Sequence, residues 1–128
     1  MCRVAHIFPV DVHTPAASLA LASAVLTQGH ALVWFPEAWR TPTGELQRFL
    51  PGIGALIEKT GATVVPAYIA GTFEAMPRWA RFPRLRPISV RFGDPLAAAE
   101  LAAGEGESAA ARITLALEGA VARLAKRE

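Results

Sequence analysis

The chain has 128 residues, of which 52% are hydrophobic and 19% charged, with a formal net charge of +2. That length accommodates one domain or part of one, and the composition excludes a disordered acidic or basic tail. A lone cysteine, Cys2, excludes an internal disulfide framework and a cysteine-built zinc site, and fits a reducing cytoplasmic setting. No apolar run reaches the roughly 18 residues of a membrane-spanning helix, and the first residues lack a charged segment followed by an apolar stretch, so neither a span nor a signal peptide is read. Basic residues are lopsided, with 11 arginines against 2 lysines. Arginine is the cation suited to forked contacts with phosphate and carboxylate. The 26 alanines favour helices while adding little side-chain bulk.

Residues 3–10 read as a short strand ended by Pro9. Thr14-Pro15 starts a helix, with Thr14 as cap and Pro15 in the first turn, and Leu19, Ala22 and Leu26 share a face. Gly29 ends it. Ala31 to Phe35 is continuously apolar, the pattern of a central strand covered on both sides. Residues 36–49 have no period and hold a Pro42-Thr43-Gly44 turn, so they form a loop. Pro51 opens a second helix and Gly61 closes it. Thr63 to Ile69 is a further buried-type strand. Ile88, Val90 and Phe92 alternate with Ser89 and Arg91 as a half-exposed strand. The stretch from Ala97 to Ala111 is rich in Ala, Gly and Glu and is read as partly loose. Residues 107–127 form a final amphipathic helix with Ile113, Leu117, Val121 and Leu124 on one stripe.

Strands alternating with helices imply an α/β domain with a mixed or mostly parallel sheet flanked by helices. Residues 1–96 make the main body, and 97–128 a C-terminal helical segment packed on it. Ligands of such sheets collect beyond the carboxyl ends of strands, which points to the loop after Phe35.

That loop begins Phe35-Pro36-Glu37-Ala38-Trp39-Arg40-Thr41 and continues through Gly44-Glu45-Leu46 to Phe49-x-Pro51-Gly52. An acid and a base stand three apart directly after an apolar strand. The carboxylate can orient a hydroxyl, and Arg40 can fork onto a phosphate. The plainer alternative is that Glu37 and Arg40 pair with each other and tie down the loop. This segment resembles the third sequence block of the glycerolipid (glycerol-phosphate / lysophosphatidate) acyltransferase superfamily, commonly Phe-Pro-Glu-Gly-Thr-Arg-Ser. Val64-Val65-Pro66-Ala67-Tyr68-Ile69 resembles the fourth block at the expected distance. Gly71 to Pro77 and Val90 to Leu96 continue the likeness, which covers about residues 5 to 96.

The resemblance implies transfer of an acyl group from acyl-CoA or acyl carrier protein, as co-substrate, to the hydroxyl of a lysophospholipid or related acceptor, with no bound cofactor and no metal. It places Glu37, Ala38, Trp39 and Arg40 in the acceptor loop, with Arg40 as the phosphate contact. Ala38 replaces the usual glycine, which reshapes the loop if that position needs positive φ. The family's general base is a histidine in a His-x-x-x-x-Asp block. His6 and Asp11 fit that bare spacing, but Asp11 stands only 24 residues before Phe35. That interval suits the second block, often Phe-Ile-Asp-Arg, so His6–Asp11 is read as a decoy and the catalytic residues are left unassigned. On this reading the N-terminal part of the fold is missing and the isolated chain is inactive. A sheet cut in this way leaves an unpaired edge, which invites homo-oligomers. His13 and His30 carry no role.

A second feature is Arg78-Trp79-Ala80-Arg81-Phe82-Pro83-Arg84-Leu85-Arg86, with no acid between Glu74 and Asp94. Arg78, Trp79, Arg81, Phe82, Arg84 and Arg86 suit a peripheral membrane contact at the inner face, or the phosphates of CoA. A solvated connecting loop is the plain alternative. Nucleic acid is not expected as a partner, because the net charge is small. Glu107, Arg112, Glu118 and Arg123 lie outside the stripe of the last helix. Two other readings of the whole remain: a non-catalytic lipid- or acyl-binding module, and an unrelated small α/β ligand-binding domain. No glycine-rich nucleotide loop follows any strand, which weighs against a nucleotide binder.

Overall fold

The computed structural model describes residues 14–126. The strand expected over residues 3–10, and His6, Asp11 and His13, lie outside them. The chain divides into two compact units, Met1–Val33 and Trp34–Glu128. In the first, α1 spans Pro15–Thr27, opened by Pro15 where a helix has no use for an N–H. The Thr14 carbonyl accepts from the N–H groups of Ala17 and Ser18, and Gly29 follows the helix at φ 80°. Ala22 is buried, while Leu19 and Leu26 on its face are half-buried.

The second unit runs α2 (Gly52–Thr60), β1 (Ala67–Ala70), α3 (Thr72–Ala75), β2 (Ser89–Phe92), α4 (Ala98–Ala102) and α5 (Ala109–Ala125). Its core is the packing of α2 on α5. Ile53, Leu56 and Ile57 meet the stripe of Ile113, Leu117, Val121 and Leu124, all buried, with Ala120 beside them and Leu101 from α4. The helices approach closely at Gly54, where an added methyl would strike the Ala110 carbonyl and the Thr114 hydroxyl. Gly61 closes α2 at φ 65°, and the Ser108 hydroxyl caps α5 by accepting from the Ala111 N–H at 3.1 Å.

The sheet formed by the described residues is a two-stranded antiparallel hairpin rather than a mixed or parallel one. Its register pairs Ala67 with Phe92, Tyr68 with Arg91, Ile69 with Val90 and Ala70 with Ser89. A bridge between Val64 and Leu96 extends the ladder. The second strand carries one extra residue before that bridge, at the Gly93-Asp94-Pro95 turn, where proline has no N–H to offer.

Three expectations are corrected. Residues 31–35 form no strand among the described residues, and Val33 and Phe35 are 81% and 69% exposed. A doubly apolar strand exists only through neighbours on both edges, and none of the described residues pairs with this run. In β2 the covered position is not an apolar one, and Ser89 is exposed as well. Val90 and Phe92 are exposed, while Arg91 turns inward and donates to the carbonyls of Leu124 and Ala125 at 3.1 and 3.3 Å. Those are among the last carbonyls of α5, which lack intrahelical partners, so a guanidinium outcompetes an apolar side chain there. Finally, Thr63 to Ile69 is not a buried strand: β1 begins at Ala67, and Val65 and Ile69 are 50% and 38% exposed. The segment from Ala97 to Ala111 is partly loose, as expected. It holds α4, started by the Glu100 carboxylate accepting from the Ala97 N–H, and Arg112 Nε ties its end by donating to the Ala102 carbonyl at 2.7 Å.

Candidate functional site

Residues 36–50 form a loop closed at its base, with the Leu50 N–H donating to the Pro36 carbonyl at 2.9 Å. Inside it, Glu37 is half-buried. Its Oε2 accepts from the Gln47 N–H at 2.7 Å, a charge-assisted bond that folds one limb of the loop onto the other. The Gln47 amide returns the tie, donating to the Trp39 carbonyl at 2.9 Å. At the tip, Thr41 Oγ1 accepts from the N–H of Gly44 at 3.0 Å. At the exit, the Phe49 N–H donates to Glu118 Oε2 on α5 at 2.9 Å.

Between Glu37 and Arg40 the chain reverses sharply. The Trp39 N–H donates to the Glu37 carbonyl at 2.8 Å across Ala38, which has φ 62°. This is a three-residue turn of the rarer, positive-φ kind, and Ala38 is the non-glycine residue that takes it. Ala38 thus takes a positive φ, at a steric cost borne by its Cβ.

The turn separates the two charges of the motif. Glu37 faces into the loop and is spent on Gln47, with its second oxygen, Oε1, left without a hydrogen bond among the described residues. Arg40 is exposed and engages no hydrogen bond or ion pair among them. The plain alternative, in which the two pair with each other, does not hold. Trp39, beside Arg40, is 66% exposed.

The structure also joins the two segments that the sequence singled out separately. A Cβ at Gly44, which has φ 90°, would meet the Phe73 ring at 2.9 Å, so the loop tip lies directly against Phe73. Phe73 in turn meets Trp79 edge-to-face, with centroids 5.6 Å apart and planes at 80°. Arg78, Arg81, Phe82, Arg84 and Arg86 follow on the surface, all exposed.

Three contributors escape a reading of the sequence: Glu118, Gln47 and Phe73. Glu118 borders the buried stripe one position after Leu117, the sole hint of its inward role. A shallow groove of about 140 Å³, lined by Pro66, Phe92, Gly93, Asp94, Leu96, Ala120, Arg123 and Leu124, shares no residue with the loop. Among the described residues, no group of three or more His, Cys, Asp or Glu side chains is placed to hold a metal ion, and no helix is long and apolar enough to cross a membrane.

A braced loop that presents a carboxylate oxygen and a free guanidinium after an apolar run is what a binder of phosphate-bearing hydroxyl compounds requires. Comparison with known proteins gives the class. Residues 1–70 match the family model described as Acyltransferase. A 1-acyl-sn-glycerol-3-phosphate acyltransferase from Cocos nucifera is 30% identical over 91 residues, covering 68% of this chain and 30% of that protein. No solved structure matches. The chain belongs to the acyltransferase family, within the glycerolipid superfamily, and spans under a third of the length of that curated relative.

Proposed function

We propose that this chain carries the acceptor-binding loop of a glycerolipid acyltransferase domain. The acyl group would pass from acyl-CoA or acyl carrier protein to a lysophospholipid hydroxyl. The hydroxyl oxygen attacks the thioester carbonyl, the new C–O bond forms, the C–S bond breaks and the thiolate departs, to be protonated by the acid form of the base that took the hydroxyl proton. The hydroxyl proton goes to a base, which this reading does not assign to His6. The domain would work as a peripheral protein at the inner face of the membrane, where acyl chains and lysolipids reside.

The observation that carries the proposal is the asymmetry of the Glu37–Arg40 turn. Glu37 braces the loop through Oε2 and keeps Oε1 for a hydroxyl, while Arg40 stands free for a phosphate. Binding of lysophosphatidate below its aggregation concentration, followed by calorimetry, tests it. Arg40→Gln should weaken binding about 10- to 100-fold, the range of a charge-assisted contact. Arg48→Gln, an exposed cation in the same loop, should leave it within about threefold. Uncharged monoacylglycerol should bind weakly and be indifferent to Arg40→Gln. Equal binding of the two lipids, or no effect of Arg40→Gln, would sink the reading. Thiol release from acyl-CoA by the chain alone, abolished by His6→Ala, would give His6 the role of base.

A further inference from the structure

After the region matched by the family model, the chain builds a second loop whose shape is fixed from within. At its base, Gly71 has φ 87° and lies so close to the Pro87 carbonyl that an added methyl would strike that oxygen. The two ends of the segment are thereby held together. Inside it, the Arg84 N–H donates to the Ala75 carbonyl at 2.7 Å and the Ala80 N–H to the Pro77 carbonyl at 3.0 Å. Trp79 is set by its edge-to-face contact with Phe73, and Pro77, Pro83 and Pro87 remove backbone freedom. The loop is ordered before it meets anything.

Its outward side chains are of two kinds. Trp79, Phe82 and Leu85 are 67%, 79% and 105% exposed. Between them stand Arg78, Arg81, Arg84 and Arg86, exposed and free of hydrogen bonds from their guanidinium groups among the described residues. Glu74 in α3 is the one carboxylate of the segment and is paired with none of them among the described residues, and no further acid follows before Asp94, so four cations stand against one anion. A chain of net charge +2 thus concentrates four cations on one short apolar loop.

We propose that the Gly71–Ile88 loop is a preformed foot that seats on a bilayer carrying anionic head groups. Arginines spaced among exposed apolar side chains match an interface in which phosphates lie directly above hydrocarbon. The aliphatic Leu85 gains nothing from stacking on bases, and the segment has no Asn or Gln to read them, which disfavours a single-stranded nucleic acid. A soluble coenzyme would satisfy the arginines but leave Phe82 and Leu85 in water. Because the loop is already shaped, little ordering cost opposes its docking. The inference deepens the proposed acyl transfer by naming where the bilayer is met. Its test uses vesicles without lysolipid and leaves Arg40 intact, so either reading can fail without the other.

The full chain is co-sedimented with phosphatidylcholine vesicles with and without phosphatidylglycerol. The wild type should prefer the anionic vesicles. Arg78→Gln, Arg81→Gln and Arg86→Gln together should weaken that binding about a hundredfold, from roughly fivefold per arginine near an anionic surface. Lys59→Gln, Arg123→Gln and Lys126→Gln together remove the same charge elsewhere and should weaken it less than about fivefold. Phe82→Ser with Leu85→Ser should weaken it at least about tenfold, and the loss should persist in high salt, where screening has removed most of the charge effect. None of these side chains has a partner in the loop, so circular dichroism should be unchanged. The proposal is overturned if the two charge triples act alike, if the Phe82/Leu85 variant binds as wild type, or if the arginine triple instead abolishes binding of coenzyme A or a single-stranded oligonucleotide while sparing vesicles.

Discussion

Replacing Ala38 by glycine tests whether the 36–50 loop is strained where it turns. Ala38 sits at φ 62° in a turn closed by the Trp39 N–H and the Glu37 carbonyl. A Cβ on the left-handed side crowds the following carbonyl at a cost of about 1–2 kcal/mol. Glycine removes that cost but gives the unfolded chain more freedom, which returns roughly 0.5–1 kcal/mol. The net expectation for Ala38→Gly is a gain of about 0.5–1 kcal/mol. With a urea slope of about 1.5 kcal/mol per molar, the midpoint should rise by roughly 0.3–0.7 M. Ala38→Val should act oppositely and lower stability by about 1–2 kcal/mol, since a β-branched residue tolerates positive φ least. Urea titration followed by tryptophan fluorescence reads both. Lysophosphatidate affinity should be unchanged in Ala38→Gly, because the turn keeps its shape. A loss of stability in Ala38→Gly of the size glycine causes in ordinary backbone would refute the left-handed assignment and the turn built on it.

Three further outcomes follow from the packing of α2, α5 and the loop exit. Gly54→Ala should destabilise the fold by about 2 kcal/mol, since overpacking against the Ala110 carbonyl at the upper end of the usual range outweighs the helix propensity gained. Gly119→Ala, whose methyl meets only Arg123 at 3.5 Å, should stabilise α5 by about 1 kcal/mol in the same denaturation assay. Glu118→Ala strips the Phe49 N–H of its acceptor and should cost about 1.5–3 kcal/mol, with the Phe49 amide exchanging at least about tenfold faster by NMR. Unchanged exchange at Phe49 would show that α5 does not hold the loop exit.

How far the sequence was legible depends on how local the determinants are. The helices α2 and α5 were visible because their signals are short-range: Pro51 and Gly61 at the ends of one, and the stripe from Ile113 to Leu124 in the other. The 36–50 loop was visible for the same reason, since Pro42-Thr43-Gly44 breaks both periods. The strand expected at residues 31–35 was not, because an apolar run does not say which neighbours will pair with it. The inward turn of Arg91 was hidden too, because a period of two gives alternation but not its sign. What reversed the sign is the end of α5, distant in sequence, where the Leu124 and Ala125 carbonyls need donors. Helix α4 was lost in alanine, which carries no periodic contrast, although Glu100 stands where its carboxylate reaches the Ala97 N–H.

The charged side chains divide their labour in a way that bears on what the molecule can bind. Three carboxylates are engaged by backbone N–H groups: Glu37 by Gln47, Glu118 by Phe49 and Glu100 by Ala97. Arg91 and Arg112 are engaged by backbone carbonyls. Among the described residues no carboxylate is paired with a guanidinium. The scaffold is therefore held by contacts between a charge and a fixed backbone dipole, which are short-range and weakly sensitive to salt. The arginines of the two surface loops, Arg40, Arg48 and the four from Arg78 to Arg86, remain without hydrogen-bond or ion-pair partners for their guanidinium groups among the described residues. A cation that is not used to hold the fold keeps its full attraction for an external phosphate, and an anionic ligand need not break an ion pair to reach it. That separation lets the loops keep their shape while their charges stay available.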